Sequence, residues 1–102
     1  PVAAGHVLVI PKKEVDYIFD LEEDDYVELQ KFARRVAIAM RRAIPCKRIG
    51  VAVMGLEVPH THIHLVPINA ESDMNFFKQH PIIPDAEMEA IAKAISTEFE
   101  KL

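Results

Sequence analysis

The sequence predicts an α+β domain: a small antiparallel sheet with one long central helix and a second, C-terminal helix. Three observations carry that prediction. His6-Val7-Leu8-Val9-Ile10 is a short apolar run rich in β-branched residues and closed by Pro11, the pattern of a buried strand. Leu29, Phe32, Ala33, Val36, Met40 and Ile44 recur at helical spacing. His60-Thr61-His62-Ile63-His64-Leu65 alternates at period two, the period of a strand.

Taken in order, Gly5 marks a turn into the first strand, and residues 12–19 connect it to the long helix. Asp20-Leu21-Glu22-Glu23 reads as the helix start, with Asp20 as N-cap and an acidic residue three positions on. Pro45 ends that helix. Residues 48–54 form the second strand, and Gly55 to Pro59 is a connection of hairpin length to the histidine strand. Residues 68–84 show no period that assigns them. Pro84-Asp85 opens the last helix, where Glu87 and Glu89 complement the positive end and Met88, Ile91, Ala92, Ile95 and Phe99 supply an apolar face. Residues 1–102 read as one domain. Three strands and two helices make a thin core, so further strands or a partner subunit are expected to complete the sheet.

Composition narrows the function. The formal charge is −4, and the basic pairs Lys12-Lys13, Arg34-Arg35 and Arg41-Arg42 do not build a concentrated positive surface. No nucleic-acid partner is expected, while a small anionic ligand needs only a few local donors. No stretch is apolar enough for a membrane span and no signal-peptide pattern is visible. The single cysteine, Cys46, can form no internal disulfide and reads as an inert thiol, which suits a reducing compartment. A cytoplasmic location is the expectation.

Residues two apart on a strand share a face, so His60, His62 and His64 line one side. Three imidazoles in register would need three sets of partners if they were merely packed. A metal site is a second reading, but at about 3.3 Å rise per residue the outer two Cβ atoms stand about 13 Å apart, too far for one ion without strong leaning. Glu57 is the only acidic residue flanking them, and a two-histidine clamp would need distant ligands. The third reading is nucleophilic catalysis at phosphorus. Neutral imidazole attacks well near neutral pH and leaves well once phosphorylated. Its neighbours disfavour protonation and can donate to phosphate oxygens or to the leaving group. His62, with a partner on each side, is the candidate nucleophile.

The segment His60-Thr61-His62-Ile63-His64-Leu65-Val66 resembles the signature of the histidine triad (HIT) family. Gly5-His6-Val7-Leu8-Val9-Ile10-Pro11-Lys12-Lys13 resembles the family's strand of the form GHxLVIPK, and the order of elements agrees over most of residues 1–68. The resemblance implies a nucleotide-binding hydrolase. His62 would attack the α-phosphorus of a nucleoside phosphoramidate, dinucleoside polyphosphate or similar conjugate, and water would release a nucleoside monophosphate from a nucleotidyl-histidine intermediate. It implies flanking catalytic roles for His60 and His64, and phosphate or substrate contacts for His6, Gly55 and Glu57. It also implies no metal or other cofactor for the chemistry, and a homodimer with a continuous sheet. The family's transferase branch has Gln where His64 stands, which favours hydrolysis. Three departures are expected to matter. The N-terminal segment with which the family grips the nucleoside is absent from this sequence. Gly55-Leu56-Glu57 lacks the family's Asn and Gly-Gln-Ser/Thr phosphate donors, so Glu57 should turn away from phosphate or orient a histidine. Pro67 is followed by Ile68 rather than Arg. The alternatives are a catalytically weak nucleotide-binding protein and a histidine-based metal binder. Outside the triad, His80 reads as a surface residue, and Phe76-Phe77 fits a pocket, dimer or core contact equally.

Overall fold

A computed structural model describes all 102 residues. Strands β1 (Val7–Val9), β2 (Arg48–Ala52) and β3 (Ile63–Ile68) form an antiparallel sheet in the order β1-β3-β2. Helix α1 (Glu23–Ala43) follows β1, and helix α2 (Asp85–Glu100) closes the chain. This is the α+β arrangement expected, with the histidine-bearing strand at its centre. The register pairs Leu8 with His64 on one side and Ala52 with His64 on the other. Alternation then separates the faces: Val9, Ile63 and Leu65 are buried with Leu29, Ala33, Val36 and Met40 of α1, while His64 stands on the open face.

The start of α1 differs from expectation. Asp20 is not its N-cap; Ile18–Asp20 form a 3₁₀ turn, and the helix begins at Glu23 with Glu22 at the cap and no side-chain cap bond. The cause is burial. Ile18 and Leu21 are both drawn into the core, and Leu21 is extended (φ −63°, ψ 144°), so the helix can begin only after it. Glu23, Asp24 and Asp25 in the first turn and Arg41 and Arg42 in the last complement the helix dipole instead. At the other end Ile44 is extended, as a residue before proline prefers.

Both later strands depart from the reading at the connection between them. β2 stops at Ala52 and the β3 ladder starts at Ile63, so His60 and His62 lie in an extended lead-in outside the ladder. Pairing with β1 ends at Val9–Ile63, next to Ile10 and the N–H-less Pro11. The period of two survives in burial: Thr61, Ile63 and Leu65 are at most 1% exposed while His60, His62 and His64 are partly open. The unassigned stretch finishes β3 at Ile68 and makes a 3₁₀ turn at Glu71–Met74. α2 begins at Asp85 as predicted, but Met88 and Ala92 of its apolar face are exposed, and only Ile95 and Phe99 reach the core cluster.

One apolar face is left open. Val51 pairs with Leu65 and so shares its face, yet Val51 is 61% exposed while Leu65 is 1% exposed. No helix is long and apolar enough to cross a membrane.

Candidate functional site

Gly5 places the first imidazole. Its φ of +87° suits glycine, and a Cβ there would run into the Ile44 side chain. The turn brings His6 beside β3, where hydrogen bonds fix a chain of proton positions. The Val2 N–H donates to His6 Nδ1 (3.0 Å), and His6 Nε2 lies 3.0 Å from His64 Nδ1. A peptide N–H can only donate, so His6 Nδ1 is an acceptor and the neutral ring carries its proton on Nε2. That proton is donated to His64 Nδ1, which leaves the His64 proton on Nε2. A single peptide group thus sets the tautomers of two histidines.

His62 is fixed independently. Its Nδ1 lies 2.8 Å from the His60 carbonyl oxygen, which only accepts, so Nδ1 carries the proton and Nε2 keeps a free lone pair. The His62 and His64 rings meet edge to face with centroids 4.8 Å apart. His60 does not join them as a third ring. Its Nε2–H donates to the Pro11 carbonyl (3.0 Å), so the expected partner on each side of His62 becomes one ring, His64, and one backbone carbonyl, that of His60. Outside the regular ladder, His60 is free to turn toward the segment that follows β1.

Neutrality is built in. Burial pushes the His6 pKa down to about 4, with the neighbouring His64 as the next cause. Burial, and then His62, lower that of His64. Phe76 contributes to this burial, its ring 4.8 Å from that of His64 and 6.0 Å from that of His6. Phe76 belongs to a stretch without sequence period, so only its aromatic character pointed to a contact.

Thr61 anchors the lead-in. It is the only buried polar residue, and its Oγ1 lies 2.7 Å from the Val15 carbonyl and 3.3 Å from that of Asp16, while its N–H also donates to Val15 O (2.7 Å). Gly55 adopts φ +73° in the turn before the triad. Glu57 is exposed and hydrogen-bonds to none of the histidines. His80 is exposed and bonded to the Phe76 carbonyl. Lys13 pairs with Asp25 at 2.7 Å, away from the histidines. No three His, Cys, Asp or Glu side chains gather as a cage for an ion.

A cavity of about 350 Å³ opens beside His62. The other two triad histidines do not line it; Tyr17, Phe19, Tyr26, Gln30 and Val53 to Leu56 are among the residues that do. Sequence reasoning passed over these aromatics because Tyr17 and Phe19 fall in a connector and Tyr26 in a helical pattern.

The HIT domain family model matches residues 1–71. A bis(5′-adenosyl)-triphosphatase of Dictyostelium discoideum is 33% identical over 72 residues, 66% of this chain and 48% of that protein. An asymmetrical bis(5′-nucleosyl)-tetraphosphatase of Schizosaccharomyces pombe is 29% identical over 72 residues, 66% of this chain and 40% of that protein. The chain therefore spans less than half the length of either relative. A hypothetical histidine triad nucleotide-binding protein of Sulfolobus tokodaii superposes with a TM-score of 0.80 at 27% identity, covering 100% of this chain and 74% of the other.

Proposed function

Because this chain belongs to the HIT family, we propose that it is a nucleotide hydrolase in which His62 is the nucleophile. The observation that carries the reading is the pair of fixed proton positions: a bare Nε2 on His62, and an Nε2–H on the adjoining His64. His62 Nε2 attacks the α-phosphorus of a nucleoside phosphoramidate, dinucleoside polyphosphate or similar conjugate. The P–N bond to His62 forms as the bond to the leaving group breaks. His64, neutral with its proton on Nε2, donates a hydrogen bond to the phosphoryl oxygens and keeps that proton, and the leaving group takes its proton from solvent. Water then attacks phosphorus, the P–N bond breaks, and a nucleoside monophosphate departs. His60, turned onto Pro11 O, holds His62 through its carbonyl, and His6 acts through His64. Gly55 shapes the turn facing the phosphate. Glu57, exposed and carrying like charge, is not assigned a phosphate contact in this reading. The named activities of the fungal and slime-mould relatives support hydrolysis of a phosphoanhydride or related bond.

Turnover of adenosine 5′-phosphoramidate by the protein and by His62→Ala, with chelator present, tests this. Loss of turnover in the variant, together with a nucleotidyl adduct on His62 in the quenched wild-type reaction, is the expected result. A catalytically weak nucleotide-binding role is the second reading. The observation favouring it is that no Lys or Arg lines the cavity beside His62. Nucleotide binding without adduct or turnover would establish it.

β2 is an edge strand of the sheet and carries Val51 61% exposed, which supports a second copy of this chain extending the sheet along that edge. Sedimentation of the wild type against Val51→Lys would test it: a dimer that dissociates in the variant is expected.

A further inference from the structure

We infer that the cavity at the end of α1, lined by Ile38, Arg41, Arg42, Ile44, Pro45 and Cys46, is a second binding site, for an organic anion with a carboxylate or phosphate head and a small apolar body. It shares no residue with the cleft beside His62, and the inference stands apart from the hydrolase reading. Size is the first support. At about 360 Å³ the cavity lies within the range of small-molecule sites. Unpaired charge is the second. All four ion pairs of the chain use lysine, and so does every hydrogen bond from a Lys or Arg side chain. Arg41 and Arg42 therefore present two planar forks whose N–H groups have no protein partner. Such forks meet a carboxylate or phosphate with paired N–H···O bonds.

Neither arginine is engaged at the helix end. A cation in the last turn complements the dipole, yet neither guanidinium bonds a terminal carbonyl, and it is the Ile44 N–H that donates to Met40 O (2.8 Å). The negative end of the dipole is equivalent to about half a charge, so two full charges beside the cavity outweigh it. No acidic side chain lines the cavity, and none lies between Glu28 and Glu57 in sequence, while Lys47 and Arg48 follow Cys46 directly. In a chain of formal charge −4 this is a local positive field that draws an anion to one place. The remaining lining decides what kind of anion. Ile38, Ile44 and Pro45 are apolar, and Ile38, Ile44 and Cys46 are half-buried. Such walls offer nothing to the hydration shell of a simple inorganic ion. They do cover a short hydrocarbon or ring, over which the arginine stems can also lie.

The test follows the carbon-13-labelled methyl resonances of Ile38 and Ile44 while the protein is titrated with hexyl phosphate, hexanoate, inorganic phosphate and 1-hexanol. Saturable shifts are expected with at least one of the two hexyl anions, at an affinity roughly tenfold or more above that for inorganic phosphate or hexanol. The tighter anion identifies the head group. Arg41→Gln/Arg42→Gln should weaken its binding at least about tenfold. Lys31→Gln/Arg34→Gln removes the same charge from α1 outside the cavity and should leave the affinity within about twofold. All four of these side chains are exposed, so both double variants should keep the fold. The sole cysteine supplies a second readout. Alkylation of Cys46 by neutral iodoacetamide should slow several-fold at a saturating level of the tighter anion, and the same level should not protect Arg41→Gln/Arg42→Gln. Shifts with neither hexyl anion overturn the inference. So does equal affinity for hexanol, the mark of a merely apolar hollow, or for inorganic phosphate, the mark of a bare charge. Equal losses in the two double variants, or a Cys46 that the anion fails to protect, overturn it as well.

Discussion

β3 and α2 are both amphipathic in sequence, and the fold uses them in opposite ways. Three of the six residues of β3 are buried, and none of the sixteen in α2 is. β3 is hydrogen-bonded on both edges and covered by α1. α2 lies against the outer surface of α1, where Phe99 meets Phe32 edge to face at 5.7 Å and Arg35 stacks 4.7 Å over the Phe99 ring. The HIT match ends at residue 71, before α2 begins. The difference teaches where positional accuracy resides. The side chains that the proposed chemistry needs held in place, His62 and His64, sit on or next to the most constrained segment, while α2 shields a surface and carries none of the proposed site residues.

The sharpest test of that division is His62→Ala. Turnover should fall at least about a thousandfold, with unfolding free energy changed by no more than about 1 kcal/mol because the ring is half-open. A variant that unfolds would show that the head of β3 is structural first. Leu65→Ala probes the buried face of the same strand and should cost about 2–5 kcal/mol in urea denaturation. A cost below about 1 kcal/mol would erase the contrast with α2.

Acid provides the third test. His6 takes up its proton at about 4 when folded and at 6.5 in the unfolded chain, so between those values the unfolded state binds more protons. Stability should therefore be fully present above pH 6.5 and fall as the pH drops toward 4. Because the ring is partly exposed, screening limits the effect to about 1–2 kcal/mol. His6→Gln should flatten that slope in thermal unfolding from pH 7 to 4; an unaltered slope would assign the acid sensitivity to other groups. Thr61→Val keeps the volume and removes the Oγ1 bonds to Val15 and Asp16. It should cost about 1 kcal/mol and lower turnover several-fold by loosening His62. The smallest effect belongs to α2: Phe99→Ala should destabilise by about 1 kcal/mol through lost aromatic contacts, with turnover retained.

Much of this was legible in the chain itself. Alternation from His60 to Leu65 gave the faces of β3, and helical spacing with Pro45 gave the body and end of α1. What local pattern could not show was competition from elsewhere. Asp20 is a good cap by type, but Ile18 and Leu21 gain more by entering the core, so the helix starts later. His60 is in register with its neighbours, but a carbonyl at Pro11, distant in sequence, claims its Nε2–H. Phe76, Tyr17 and Phe19 come from segments with no useful period, and only the folded chain brings them near the histidines.

The bond from the Val2 N–H to His6 has a spectroscopic corollary. That amide proton sits at the head of a line of donors ending at the His64 Nε2–H, so any ligand that pulls on the far end should polarise the near one. Its ¹⁵N–¹H resonance and its exchange with deuterated solvent would then register occupancy at His64 without a label or a reporter substrate, in a peptide group four residues from the nearest imidazole in sequence.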